Sequence, residues 1–542
     1  MKKRHLLIAS FLLLTTLPSM SQDYKIKVSE QNEKMEQGEF QPNWQSLKKY
    51  KVPEWFKNAK FGIWAHWGPQ CVEGSGDWMA RSLYLEGSRE YKYHVEHYGH
   101  PSEVGFKDII PLFKAENWNP DKLVALYKKI GAQYFFALGN HHDNMDLWDS
   151  KYQPWNSVNM GPKKDILAEW EKAARKYGLP FGISFHADHA WTWYEPSQRY
   201  DREGAKAGIS YDGKLTKKDG KGKWWEGYDP QDLYAQNHPL SEGSWSNGMI
   251  HRQWGWENGA CLPTQEYCTN FYDRTLDAIN RYNPDLIYFD VTVVPFYPVS
   301  DAGLKIAAHF YNHYMKTHKG KLDAVMFGKI LDNEQRKALV WDVERGAPDK
   351  IVDEPWQSCS CIGGWHYNTS IYENNSYKSA SSIVKLLVDI VSKNGNLLLS
   401  VPLRADGTLD EKEEVILNKF GKWMEVNKES ILDTRPWRVF GEGPLAESTI
   451  PMHAQGFNED SYNRATSDEI RFTQTDKYVY ATVLAWPDKD NIIIKSLAND
   501  KIKSIELLGH GRISFTKTND GIVVNLPKQR PNDIAPVFKI KK

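Results

Sequence analysis

Cysteine is scarce: the 542-residue chain carries five, too few for a small scaffold held by disulfides. Neither charge is in excess. Lys and Arg number 69, and so do Asp and Glu, so no global basic field draws in nucleic acid or an anionic lipid surface. After the N-terminus no apolar run is long and charge-free enough to cross a bilayer, which takes about 20 residues. The chain has no G-x-S-x-G elbow, no P-loop and no Gly-rich turn after its first β-like run. Serine-hydrolase and nucleotide-binding readings therefore lack support. No repeat or low-complexity tract occurs, and a composition 41% hydrophobic and 25% charged excludes a disordered or collagen-like chain. What is abundant is aromatic: 22 Trp and 28 Tyr. Flat rings with a polar tip suit the apolar faces of sugars, leaving the N–H and O–H free to bond hydroxyls.

Residues 1–21 read as a secretory leader. Lys2, Lys3 and Arg4 form a positive start, an apolar run from Leu6 to Leu14 follows, and Ser19-Met-Ser21 offers a small-x-small cleavage site. A secreted or periplasmic location is expected. The odd number of cysteines leaves at least one unpaired, and Cys261 with Cys268 is the natural local pair in an exported chain. Cys359-Ser-Cys361 is too tight for an easy disulfide, and the spacings fit no zinc ribbon; no metal or other cofactor is expected.

Residues 22–50 are polar and read as a loosely packed lead-in. Residues 51–434 alternate short apolar β-like runs with amphipathic helices. The runs are Phe61–His66, Tyr134–Leu138, Phe181–Phe185, Leu286–Asp290, Ala324–Phe327 and Leu397–Val401, and the helices are Pro120–Ile130, Ile166–Tyr177, Thr269–Tyr282 and Ala302–Thr317. This alternation predicts a parallel sheet with helical crossovers, an α/β fold of the (β/α)8 TIM-barrel type, because polar and aromatic residues gather just where the strands end. Residues 191–256 form a long irregular insertion expected to shape the leaving-group side. Residues 435–542 change to short alternating runs separated by turns, which predicts a C-terminal antiparallel β-sandwich.

Strand ends also carry the candidate chemistry. Asp290 closes an apolar strand; a carboxylate there can attack an anomeric carbon or act as a base, although an Asp at a strand end also caps helices. His141-His142-Asp143 follows the second run and can bind a metal or donate to sugar hydroxyls; alternation of adjacent side chains favours the hydroxyl role. His66-Trp67 closes the first run. His186, His189, Trp191 and Trp193 follow the third. Imidazoles and indoles at three successive strand ends suit a small, neutral, polyhydroxylated ligand.

At these residues the chain resembles the glycoside hydrolase family 29 α-L-fucosidases. The matching segments are Trp55–Gly68, Gly139–Asp143 with Leu147–Ser150, Pro284–Asp290 and Val391–Ser400. The resemblance implies a barrel followed by a β-sandwich, and retaining cleavage of terminal α-L-fucosyl bonds in fucosylated oligosaccharides or polysaccharides. It matches Asp290 to the nucleophile, and His66, His141 and His142 to histidines that hold fucose hydroxyls. Trp78 matches a pocket aromatic, and Trp67, His186, Trp193, Arg345 and Trp365 complete the expected substrate-binding set. One departure stands out: Gln357, in Pro355-Trp-Gln-Ser358, occupies the place of a glutamate acid/base. Glu344, beside Arg345-Gly346, and Glu354 are the substitute acids, Glu344 first. An α-L-galactosidase on the same scaffold and a fucose-binding protein with impaired catalysis are the alternative readings.

Overall fold

The computed structural model describes residues 24–245, 255–448 and 456–542; the leader at 1–21 lies outside them. Eight parallel strands close into a barrel in chain order: β1 Phe61–Ala65, β2 Tyr134–Asn140, β3 Phe181–Phe185, β4 Leu286–Phe289, β5 Val325–Gly328, β6 Val340–Glu344, β7 Trp356–Cys361 and β8 Gly395–Ser400. Long helices α1 Pro120–Lys129, α2 Ile166–Lys176, α3 Gln265–Tyr282, α4 Ala302–Thr317, α5 Ala380–Ser392 and α6 Glu411–Asn427 cover its outside. Their starts follow from local chemistry. The Asn119 side chain accepts from Lys122 N ahead of Pro120 in α1, and Ser379 caps α5 through Ser382 N, satisfying amides that the helix itself leaves orphaned.

Inside the barrel the side chains alternate. Gly62, Trp64 and His66 point inward from β1 and its end, and Phe61 packs outward on Phe420 of α6. Trp64 Nε1 donates to Ser184 Oγ at 3.1 Å, and its ring meets Phe136 and Tyr288. Below it, Tyr134 OH donates to Gln357 Oε1 and Gln357 Nε2 to Asp342 Oδ1, both at 2.9 Å. A Cβ on Gly62 would lie 2.3 Å from the Tyr134 ring, so only glycine admits that ring to the centre.

Strands β6 and β7 were not anticipated. Their inward positions carry Asp342, Glu344, Gln357 and Cys359, which break the apolar signal that marks the other six strands. Nor do ordinary helices flank β6: the β5–β6 link holds only a 3-10 turn at Gln335–Lys337, and the β6–β7 link has no helix. The N-terminal segment also differs from the loose lead-in expected of it. Tyr24, Val28, Phe40, Leu47 and Tyr50 are buried. Val28 N bonds Asp301 Oδ1 at 2.9 Å, Phe40 N bonds Asn312 Oδ1 at 2.9 Å and Tyr50 OH bonds Ala324 O at 2.9 Å, strapping the segment to α4 and β5. The Cys261–Cys268 pairing is corrected: all five cysteines are free thiols, with Cys268 buried in the first turn of α3.

The insertion after β3 folds into short helical turns. Trp193, Tyr194, Tyr211, Trp225 and Tyr234 join Met79, Tyr84, Phe106 and Trp155 in a second core. That core is centred on a buried ion pair from Lys107 to Asp212 at 2.8 Å; residues 246–254 of the insertion lie outside the described residues.

The C-terminal sandwich packs a six-stranded sheet against a three-stranded one. Strands β9 Arg435–Glu442, β10 Ile470–Gln474 and β11 Val479–Val483 pair as antiparallel neighbours, β11 with β12 Val537–Lys541 beyond. Buried charge joins it to the barrel. Asp389 on α5 accepts from Arg471 Nε of β10 at 2.5 Å and from Lys393 Nζ at 2.7 Å, and Arg471 also pairs with Glu469 at 2.9 Å. Asp389→Ala would remove the buried carboxylate that Lys393 and Arg471 share, leaving Glu469 to face Arg471. It is expected to destabilise the protein by about 3–5 kcal/mol, read as a lowered denaturation midpoint; an unchanged midpoint would show that the cluster does not hold the domains together.

Candidate active site

A rim of side chains follows from the inward parity of the strands. Trp64, Ser184, Tyr288, Phe327 and Asp342 fill one layer, and two residues further along each chain stand His66, His186, Asp290, Lys329 and Glu344. Period-two alternation puts all five at the C-terminal mouth, the face where loops leave a parallel barrel. There they line a cavity of about 290 Å³ with Asp77, Trp78, His141, Trp365 and Phe457. That volume is close to the lower end of the roughly 300–1,000 Å³ of ligand pockets and suits a single sugar ring.

Two carboxylates share one ammonium. Lys329 Nζ bonds Asp290 Oδ1 directly and Glu344 Oε2 at 2.7 Å. The two oxygens therefore stand no more than two hydrogen-bond lengths apart, about 6 Å. Their proton affinities are driven apart. Burial opposes charge on Asp290, but the Lys329 ammonium and the nearby His142 and His186 imidazoles hold its carboxyl well below the usual carboxylate range. Burial raises Glu344; Lys329 opposes that rise, while the charges of Asp290 and Asp77 add to it. The Lys329 ammonium is costly to bury, yet the flanking Asp290 and Glu344 carry its pKa well above the ordinary lysine value. One carboxyl is thereby set up as an anion and the other as an acid.

Opposite stands a group of imidazoles. His142 donates Nδ1–H to His186 O at 2.6 Å, and its Nε2 lies 3.4 Å from Asp290 Oδ2; His186 Nδ1 is 3.6 Å from the same oxygen. Gln70 bonds His141 Nδ1 at 2.6 Å, and His366 Nδ1 bonds Asp77 Oδ1 at 2.8 Å. Burial and the neighbouring imidazoles push His66 and His141 well below the usual histidine pKa, and burial takes His186 down to about 4. These rings are neutral at neutral pH, each able to donate and accept. Both nitrogens of His66 and Nε2 of His366 are buried without a hydrogen-bond partner in the protein. Native interiors rarely leave such atoms unmatched, and in a cavity of this size they are free to bond what enters it. Trp78, held at φ +64°, and Trp365 supply flat walls.

Comparison with known proteins agrees with this geometry. Residues 27–429 match the family model for α-L-fucosidase, and residues 462–541 match the model for the α-L-fucosidase C-terminal domain. The chain belongs to the α-L-fucosidase family. Tissue α-L-fucosidase of Mus musculus is 26% identical over 92% of this chain and 92% of its own; plasma α-L-fucosidase of Homo sapiens is 25% identical over 90% and 89%. The solved structure of the Thermotoga maritima α-fucosidase superposes with a TM-score of 0.67 at 24% identity, covering 92% of this chain and all of that one. The activity is accordingly glycoside hydrolysis, the cleavage of α-L-fucosyl bonds.

Within this fucosidase the anticipated residues separate into two groups. Asp290, Glu344, His66, Trp78, His141, His186 and Trp365 line the cavity, and His142 lies behind Asp290. The others do not reach it. Trp67 follows an inward residue, so it faces out, packs on Phe113 and Trp118 and donates to Arg404 O at 2.8 Å. Trp193 lies behind His141, His142 and Trp78 as a buttress. Arg345 turns away to Glu459 at 2.7 Å. Glu354 is exposed in the loop before β7, at the opposite end of the barrel from the rim. Gln357 is corrected as the acid/base position: it is the second residue of β7, in register with Asp342 below the mouth, and bonded to Tyr134 and Asp342. No described residue of 191–256 lines the cavity.

Lys329, Asp77, Tyr288, Trp64, His366 and Phe457 were not anticipated. Extending the alternation of β5 two places past Phe327 would have found Lys329. His66, Asp77, His141 and His366, and likewise His141, His142 and His186, hold donor atoms within 4.8 Å of one another. These are the donor types that a zinc-like cation accepts.

Replacing Lys329 tests the electrostatic scheme. The ammonium lowers both carboxyl pKa values, so Lys329→Met is expected to raise both. The limb of kcat/KM that falls in acid and the limb that falls in base should both move to higher pH. A profile that loses height without moving would remove Lys329 from this role.

Proposed function

We propose that this fucosidase is an exo-acting, retaining enzyme working by double displacement, with Asp290 as nucleophile and Glu344 as acid and then base. The observation that carries the reading is the Lys329 bridge between Asp290 and Glu344, which holds an oxygen of each carboxyl within about 6 Å of the other. Retaining pairs stand about 5–5.5 Å apart and inverting pairs about 6.5–9.5 Å.

Asp290 Oδ attacks C1 of the fucosyl unit as the bond from C1 to the glycosidic oxygen breaks, and Glu344 gives its proton to that oxygen. A fucosyl ester of Asp290 remains. Forming it removes the negative charge that had helped raise Glu344, so the pKa of Glu344 drops when it has to act as a base. Glu344 then takes a proton from water, the water oxygen attacks C1, and Asp290 leaves as a carboxylate. Neutral His66, His141 and His186, with His366 beside them, hold the ring hydroxyls. The small cavity, backed by these imidazoles, admits one terminal residue, and a fucosylated oligosaccharide or polysaccharide extends from the mouth.

The leader-like residues 1–21 support export to the periplasm or beyond, where such glycans are met. No helix among the described residues is long and apolar enough to cross a membrane.

Three measurements test the scheme. Asp290→Ala should lower kcat/KM by about 10⁴-fold or more. Glu344→Gln should remove the limb that falls in base and cost about 10²–10⁴-fold on an unactivated glycoside, far less on an aryl fucoside whose leaving group needs no proton. NMR of the wild-type reaction should find α-L-fucose first; first release of the β anomer would overturn retention.

A further inference from the structure

Phe457 is the exception in the lining of the cavity. It is hydrophobic, yet 53% exposed, and it comes from neither the barrel nor the strands of the sandwich. It sits on the connector between residues 429 and 462, the stretch that neither family model matches. A phenyl ring left in water by chance would be expected on a loose loop. This one is fastened.

Gly456 bridges to Glu344, Phe457 N donates to Glu344 O at 2.9 Å, and Glu459 N donates to Arg345 O at 3.1 Å. Asn458 clamps Ala347 from both sides, accepting from its N–H and donating to its carbonyl, each at 3.0 Å. The Glu459 carboxylate is held by Arg345 at 2.7 Å, by Lys378 at 3.0 Å and by Ser360. Phe457 itself is held at φ +54°, a left-handed conformation that bulky non-glycine residues rarely adopt. Backbone strain, a dense set of anchors and an exposed ring together describe a placed side chain.

Its position gives the ring a use. Glu344 protonates the leaving oxygen, so the leaving group lies on the Glu344 side of the mouth. Phe457 is tied to the backbone of Glu344 itself and lines that side. We infer that Phe457 is the platform of a leaving-group subsite, stacking on the apolar C–H face of the sugar ring to which the fucosyl unit is attached. The fucosyl ring has its own walls in Trp78 and Trp365; an aromatic face farther out serves a second ring. The inference rests on the retaining-fucosidase reading above and names its leaving group as a pyranose.

The test compares two substrates that differ only in that second ring: α-L-fucosyl fluoride, which has none, and the fucosyl disaccharide the wild type turns over fastest. Phe457→Asn removes the ring and suits the left-handed backbone, so the loop is preserved; Phe457→Trp keeps an aromatic face. Phe457→Asn should lower kcat/KM on the disaccharide about ten-fold, with the fluoride unchanged and Phe457→Trp close to wild type on both. Equal losses on the two substrates, or no loss on the disaccharide, would overturn the subsite. A wild-type protein that releases no fucose from the fluoride would instead overturn the function on which it rests.

Discussion

A single ammonium between two carboxylates organises the mouth of this barrel. Lys329 is buried, and a buried cation is tolerable only when paired. Its partners are Asp290 and Glu344, so the three are mutually dependent. The cation holds Asp290 ionised, and the charge of Asp290 in turn raises Glu344. The contrast in proton affinity between the two carboxyls is thus a property of the triad and not of either carboxylate alone. Under the proposed double displacement the contrast also resets itself, because esterification of Asp290 withdraws a charge that raises Glu344.

The rest of the site serves that triad. Alternating side chains on β4, β5 and β6 bring the three groups to one level, and the layer beneath, with Trp64 and Tyr288, keeps them there. His142 and His186 face the second oxygen of Asp290. His66 and His141 beyond them remain neutral because burial and the neighbouring imidazoles penalise their protonation, so a neutral sugar meets groups there that donate and accept. The second core, built from the insertion, residues 79–110 and residues 145–160, contributes no described residue to the lining of the cavity. It supports the loop that presents Asp77 and Trp78, as the packing of Trp78 on Trp193 indicates.

The connector to the sandwich gives the C-terminal domain a part in the site. Its backbone is sewn to the end of β6 at Glu344 and Arg345, and the sandwich is locked to α5 through Asp389 and Arg471. Arg345 belongs to this seam, which explains why it leaves the cavity although it adjoins the acid residue.

Much was legible before any coordinates. Six apolar runs with helices between them specify a parallel barrel because buried strands and amphipathic crossovers leave unmistakable periodicities. Asp290, His66, His141 and His186 stand out because each ends such a run. β6 and β7 escaped notice because the interior of the barrel is polar there, and Gln357 was misplaced because its strand was unseen. Glu344 could be named from its neighbours in sequence, but its pairing with Lys329 could not, since that contact joins the ends of two strands through closure of the barrel. Phe457, more than a hundred residues from Glu344 in the chain, reaches the mouth only through a connector. Periodicity records which face of an element is buried; only packing in three dimensions brings the ends of separate elements within one hydrogen bond of each other.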